Sequence, residues 1–365
     1  PSKAWGKGLM LEVHEWDTGK PLGFIPQAAV TYNVIGNMNE HQVAITESTW
    51  GGRKELSDPK GIMDYGSLIY IALQRSQSAR EAIRVMTDLV RDYGYYSSGE
   101  SFTVADKNEV WILEMIGKGP NKKGAVWVAI RIPDNAISAH ANQARIHKIP
   151  FGDKKNCMYE KDVVNVAREN GWFKGKDKDF DFQKAYNPYD FSGLRACEAR
   201  VWSFFRTFDK GMDKYKKHIM GDASEEPMPL YIIPDRKVSL ADVREGMRNH
   251  YEGTELSMTN DPGAGAYKVP YRWRPMTFKS EGREYFNERA IATQQTGFVL
   301  IAQMRSWLPD AVGGILWFGV DDANTAVLTP MYTSITEIPE CYRRGNGSMT
   351  EFSWTSAFWI HNWVA

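Results

Sequence analysis

The chain has 365 residues, 42% of them hydrophobic and 25% charged, with 45 basic and 45 acidic side chains. This is the composition of a globular protein with ample core, not of a disordered or collagen-like chain. A formal net charge of zero leaves no basic excess to neutralise a phosphate backbone, which argues against nucleic acid as a partner. The longest apolar runs, 298–302 and 313–318, fall well short of the roughly 20 residues that cross a bilayer, so no membrane partner is expected. Cys157, Cys197 and Cys341 lie far apart with no C-x-x-C pair, against both zinc and a disulfide scaffold.

The first predicted element is a short strand, Val43 to Ile45, ending in the polar cluster Thr46, Glu47, Ser48 and Thr49 before Gly51-Gly52. A strand end delivers such side chains to the rim of a sheet. Two adjacent helices follow, over 64–76 and 78–94. The second carries a capping box in Ser78 and Glu81, an apolar face of Ala82, Val85, Met86, Leu89 and Val90, and Gly94 as its stop. Strands are predicted over 101–106, 109–115 and 125–132, the first two joined at Lys107-Asn108 as a hairpin. Strand-like alternation over 137–146 ends in His140, Asn142 and Gln143. The stretch 171–193 mixes charge, aromatics and glycine without a period, and reads as a surface excursion. Helices are expected over 194–208 and 239–253, the latter with a capping box in Ser239 and Asp242, and buried strands over 296–304 and 313–322. The terminal "FWIHNWVA" is apolar at helical spacing, and residue 1 is Pro rather than Met, so the natural chain is expected to continue at both ends. No repeat or linker marks a boundary, and a single α+β domain is the simplest architecture.

No G-x-S-x-G elbow, H-E-x-x-H, P-loop or dinucleotide fingerprint is present. Three places carry residue types suited to chemistry. The first is Thr46, Glu47 and Ser48. The second is "HANQ", where the Asn142 amide suits donation to an oxyanion, although an Asn there also serves loop backbone groups. The third is Arg195 and Arg200 around Cys197, placed to depress a thiol pKa or bind a carboxylate, or else to form helical ion pairs.

The segments "YNVIGNMNEHQVAITESTWGG", "GIMDYGSLIYIALQRSQSAREAI", "ADKNEVWILEMIGKG", "VWVAIRIPDNAISAHANQARI" and "YDFSGLRACEARVW" resemble, in order and spacing, the dipeptidase and secernin family of N-terminal-nucleophile hydrolases. The likeness covers nearly the whole chain. It implies a four-layer αββα sandwich over residues 1–365 and hydrolysis of dipeptides by a cysteine that opens the mature chain. It also implies catalytic roles for Asn142, as oxyanion donor, and Arg195. Thr46, Glu47, Ser48, His140 and Arg200 are the expected substrate-binding residues, with no cofactor or metal. None of the three cysteines occupies the nucleophile's place, so the resemblance puts the nucleophile upstream of Pro1. Small peptides are the implied substrates, a homo-oligomer the implied assembly, and a periplasmic or secreted location follows from bacterial relatives, with the cytoplasm as alternative. Three rivals stand beside this reading: another amide hydrolase of the N-terminal-nucleophile class, acylase-like; a Cys197–His140 hydrolase; and a non-catalytic binding module using its aromatic-rich surface.

Overall fold

The computed structural model describes residues 2–272 and 277–365. An N-terminal hairpin, β1 (Met10–His14) and β2 (Pro21–Pro26), leads into β3 (Val34–Ile35), β4 (Met38–Asn39) and β5 (Ala44–Trp50). Helices α1 (Tyr65–Arg75) and α2 (Ala79–Tyr93) follow, then β6 (Gly99–Ala105), β7 (Val110–Gly117), β8 (Ala125–Ile132) and β9 (Cys157–Tyr159). Together they form a seven-stranded antiparallel sheet in the order β9-β8-β7-β6-β5-β4-β3.

Side-chain alternation divides the sheet's two faces between different layers. Ile45, Phe102, Val104, Leu113 and Met115 project toward α1 and α2 and join Leu68, Ile71, Ile83 and Met86 in the largest core cluster. Each such burial is worth about 1.5–3 kcal/mol. Trp50, Ile112, Ile116, Val126 and Val128 project the other way, onto the segment that runs through α3 (Val163–Glu169) and α4 (Phe182–Tyr186). Trp50 sits opposite Gly99 in register, and a Cβ at Gly99 would lie 2.1 Å from the indole ring, so only glycine permits that pairing. A second antiparallel sheet, β10 (Phe298–Gln303), β11 (Ile315–Val320) and β12 (Thr329–Met331), packs Leu316 and Met331 against Met38 and Ala44 of the first.

Both predicted N-caps form. Ser78 accepts the Glu81 N–H, but the Glu81 carboxylate reaches Gln77 N rather than the cap itself; Ser239 and Asp242 make the full reciprocal box. Four expectations are corrected. The strand from Ala44 does not end at Ile45: it continues to Trp50, because Thr46 to Thr49 pair with Thr103 to Glu100. Residues 139–146 form no strand, since the N–H groups of Ala144, Arg145 and Ile146 are taken by the side chains of Asn187 and Glu114 instead of a neighbouring strand. The stretch 171–193 is not a surface excursion throughout: Phe180, Phe182 and Tyr186 are buried, Phe180 edge to face with Tyr186 and Phe182 tilted against it. The helix predicted over 239–253 is α6 (Leu240–Met247), while α5 (Ala199–Phe208) precedes it. It stops early because the Asn249 side chain accepts the Tyr251 N–H in a turn that sends Tyr251 to φ 64°.

Candidate active site

The sequence "AHANQAR" lies in the loop after a two-residue strand, Ile137–Ser138, and is held by side chains on every side. Glu114 of β7, fully buried, accepts the N–H groups of Arg145 (2.6 Å) and Ile146 (3.1 Å); burial still pushes this carboxyl up to about 7. The buried Arg145 guanidinium donates to Glu198 Oε1 (2.8 Å) and to the carbonyls of Ala139 and Pro229, and lies over the Phe205 ring. This clamp fixes both ends of the HANQ stretch.

Between those anchors, Asn142 adopts φ 56°, the left-handed conformation that Asn tolerates better than most residues. Its N–H donates to Ser48 Oγ (3.3 Å), its Nδ2 donates to the Thr49 carbonyl (2.6 Å), and its Oδ1 accepts from Arg200 Nη2 (2.8 Å). An amide nitrogen carries two hydrogens, and Thr49 takes one. The second is left for another acceptor. Ser48 Oγ also lies 2.6 Å from His140 Nδ1, and His140 Nε2 lies 2.9 Å from Thr103 Oγ1. Each ring nitrogen thus has one hydroxyl partner, and in either neutral tautomer one nitrogen donates and the other accepts. Burial lowers the imidazole pKa to about 4, with Arg145 adding to the effect, so His140 is neutral.

Thr46 lies opposite Thr103 in register, on the same face as Ser48. Glu47 does not join them. The pleat turns it to the helix-facing side of β5, where it meets Glu100, which is fully buried and accepts from Thr49 Oγ1 (2.9 Å). Burial raises both carboxyls above the ordinary range, and at Glu100 the neighbouring Glu47 raises it further.

Arg195 and Arg200 lie at the entry to α5, where residues 193–198 form a π-helical turn. Arg200 Nε donates to the Ala196 carbonyl (2.7 Å) while its Nη2 holds Asn142. Arg195, 5% exposed, lies over the Phe286 ring and donates to Glu288 Oε1; burial raises the Glu288 carboxyl and Arg195 opposes that rise. The buried Tyr251 phenol is within electrostatic reach of Arg200, Glu288, Arg195 and Cys197, and so ties the two arginines into one region. Cys197 lies between them, but burial raises its thiol pKa more than Arg200 lowers it. With both ring nitrogens of His140 engaged by hydroxyls, no nitrogen is left to take a proton from Cys197. The Cys197–His140 rival therefore lacks its base. Among the described residues no cluster of three or more His, Cys, Asp or Glu is set to hold a metal ion, and no helix is long and apolar enough to cross a membrane.

Sequence reasoning missed Arg145, Glu114 and Glu288. Arg145 and Glu114 did carry a signal, a charge inside an otherwise apolar run, "ARI" and "WILEMI". Glu288 sits in a charged stretch that gave none.

The chain is 27% identical over 338 residues to a probable dipeptidase of Latilactobacillus sakei, an alignment covering 91% of this chain and 64% of that protein. It is 26% identical over 328 residues to a probable dipeptidase of Salmonella dublin, covering 84% and 68%. To a probable dipeptidase B of Lactococcus lactis subsp. lactis (strain IL1403) it is 29% identical over 302 residues, covering 80% and 55%. The chain thus spans between 55% and 68% of the length of these relatives. The model of peptidase family C69 matches residues 1–365, and the chain belongs to that family.

Proposed function

We propose that this chain is the greater part of a dipeptidase whose nucleophile is an N-terminal cysteine lying upstream of Pro1, built as one four-layer αββα domain. Family membership and the dipeptidase relatives support the activity. The thiols of the chain itself support the place of the nucleophile. Burial pushes the Cys157 thiol up to about 12 and raises that of Cys197, so neither forms a thiolate readily near neutral pH. Cys341 lies in an apolar pocket beside Ile335 and Ile338.

The single observation that carries the reading is Asn142. A side-chain amide fixed by Thr49 and Arg200 on a backbone held by Ser48, with one hydrogen uncommitted, is a pre-organised oxyanion donor that reorganises little during reaction. The α-amine of the terminal cysteine, with a pKa of about 7.7–8.0, takes the thiol proton. The thiolate adds to the peptide carbonyl, and the oxyanion accepts the free Asn142 Nδ2 hydrogen. Collapse forms a thioester and expels the amine, which leaves with the proton held by the α-ammonium; water then hydrolyses the thioester. Arg195 and Arg200 keep the surroundings positive, and Thr46, Ser48 and His140 line the substrate side.

The test is hydrolysis of a dipeptide panel by protein that includes the residues upstream of Pro1. Turnover of dipeptides with little turnover of tripeptides is expected. Absence of dipeptide turnover by a folded preparation overturns the reading.

A further inference from the structure

A cavity of about 60 Å³ lies beside the Arg195–Glu288 pair, lined by Glu288, Arg272, Thr293 and Gln294 among others. That is room for a few waters or a small charged group. Its wall is unusual in what it leaves unmet. Among the described residues, the Oε2 of Glu288 and the Nε of Arg272, both in that wall, are buried with no hydrogen-bond partner, as is the Nη1 of Arg195, which is ion-paired to Glu288. Arg195 and Glu288 therefore meet through one oxygen and one nitrogen, where the guanidinium fork and the carboxylate permit two parallel bonds. An unmet buried acceptor is destabilising, the more so when charged. Such a cost is removed by a ligand that brings the missing donor.

We infer that Glu288 is the residue that receives the α-ammonium of the substrate's N-terminal amino acid, with the cavity as its subsite and Arg195 as the group that orients the carboxylate. This rests on the dipeptidase reading and adds to it a reason for requiring a free amino terminus. An ammonium supplies N–H donors to Glu288 Oε2 and fits the cavity's volume. Arg195 holds Oε1, favours the ionised carboxylate against the effect of burial and keeps it aimed, while Oε2 faces the ligand. The buried Tyr251 phenol donates to the carbonyl of Arg289, the residue after Glu288 (2.7 Å), and feels the charge of Arg200, the arginine that holds Asn142. An N-acylated substrate has no charge to offer there.

The probe is L-alaninamide, which carries the ammonium without a scissile dipeptide bond, compared with N-acetyl-L-alaninamide by titration calorimetry. The inference predicts measurable binding of the first, at least tenfold weaker binding of the second, and a loss of tenfold or more for L-alaninamide in Glu288→Gln. Glu288→Asp, which keeps the charge on a shorter arm, is expected to fall between the two and serves as the second variant if Glu288→Gln folds poorly. Equal binding of both amides, no binding of either, or unchanged binding in the variants overturns the inference. Dipeptide turnover by the parent enzyme is scored separately, so failure of the dipeptidase reading is distinguishable from failure of the subsite.

Discussion

Replacing Glu100 by Gln should flatten the pH dependence of stability. Glu100 and Glu47 face each other on the helix side of β5 and β6, and the groups around them are Thr49, Asp17, Tyr65 and Tyr95. No cation is among them, so the pair holds a proton that the unfolded chain releases. The folded pKa is raised, which means the associated stability is complete below the unfolded carboxylate value and is lost as pH rises toward the folded one. One proton of difference corresponds to about 1.4 kcal/mol per pH unit. With an unfolding entropy of ~2.1 cal/mol/K per residue, 365 residues give ~0.8 kcal/mol/K, so each pH unit lowers Tm by roughly 2 °C. Glu100→Gln keeps the acceptor for Thr49 Oγ1 and supplies an N–H to Glu47, which then ionises against its own burial alone, without a second buried carboxyl beside it. Differential scanning calorimetry between pH 5 and pH 8 should show Tm of the parent falling by roughly 6 °C more than that of Glu100→Gln. Glu114, pushed up to about 7, contributes equally to both proteins and cancels. Parallel Tm curves for parent and variant would refute the proton-sharing account.

In enzyme that includes the upstream residues, Asn142→Gly preserves the left-handed backbone but removes the amide, and kcat should fall roughly 100-fold to 1,000-fold with little change in KM. Arg195→Met leaves the Glu288 carboxylate buried without its guanidinium, so thermal melts should show a loss of about 3–5 kcal/mol, partly recovered when Glu288→Gln is added. Cys197→Ala should retain turnover per folded molecule, since this thiol has no free base beside it; complete loss of activity would restore the Cys197–His140 mechanism. His140→Phe should lower kcat by freeing Ser48 and loosening Asn142, and its pH profile between pH 5 and 8 should keep the parent's shape, because burial pushes the His140 pKa down to about 4, outside that range.

The helical pair and the meander after it were legible because their periodicity and caps are local: Ser78, Gly94 and the Ala82–Val90 stripe need no partner to be read. The candidate site was legible only in part. Asn142, Ser48, His140 and Arg200 do converge, but the sequence read Thr46 to Thr49 as a strand end and so missed the alternation that sends Glu47 to the opposite face. The HANQ stretch looks like a strand because its apolar residues alternate, yet its shape is set by Glu114 and Asn187, 31 and 43 residues away from the groups they bind. Phe180 and Tyr186 show the same limit: a charged, glycine-broken stretch gives no local sign that its aromatics fill a core supplied by β7 and β8.

The account's central claim is that the reacting thiol belongs to none of the three cysteines of this chain. Its most direct measurement is dipeptide turnover by the upstream-containing enzyme carrying Cys157→Ser, Cys197→Ala and Cys341→Ser together, before and after iodoacetamide, with the alkylated residue located by peptide mass spectrometry. The account predicts turnover close to the parent's per folded molecule, its abolition by one alkylation, and that label on an N-terminal cysteine. A folded triple variant with no turnover, or turnover that survives alkylation, would contradict it.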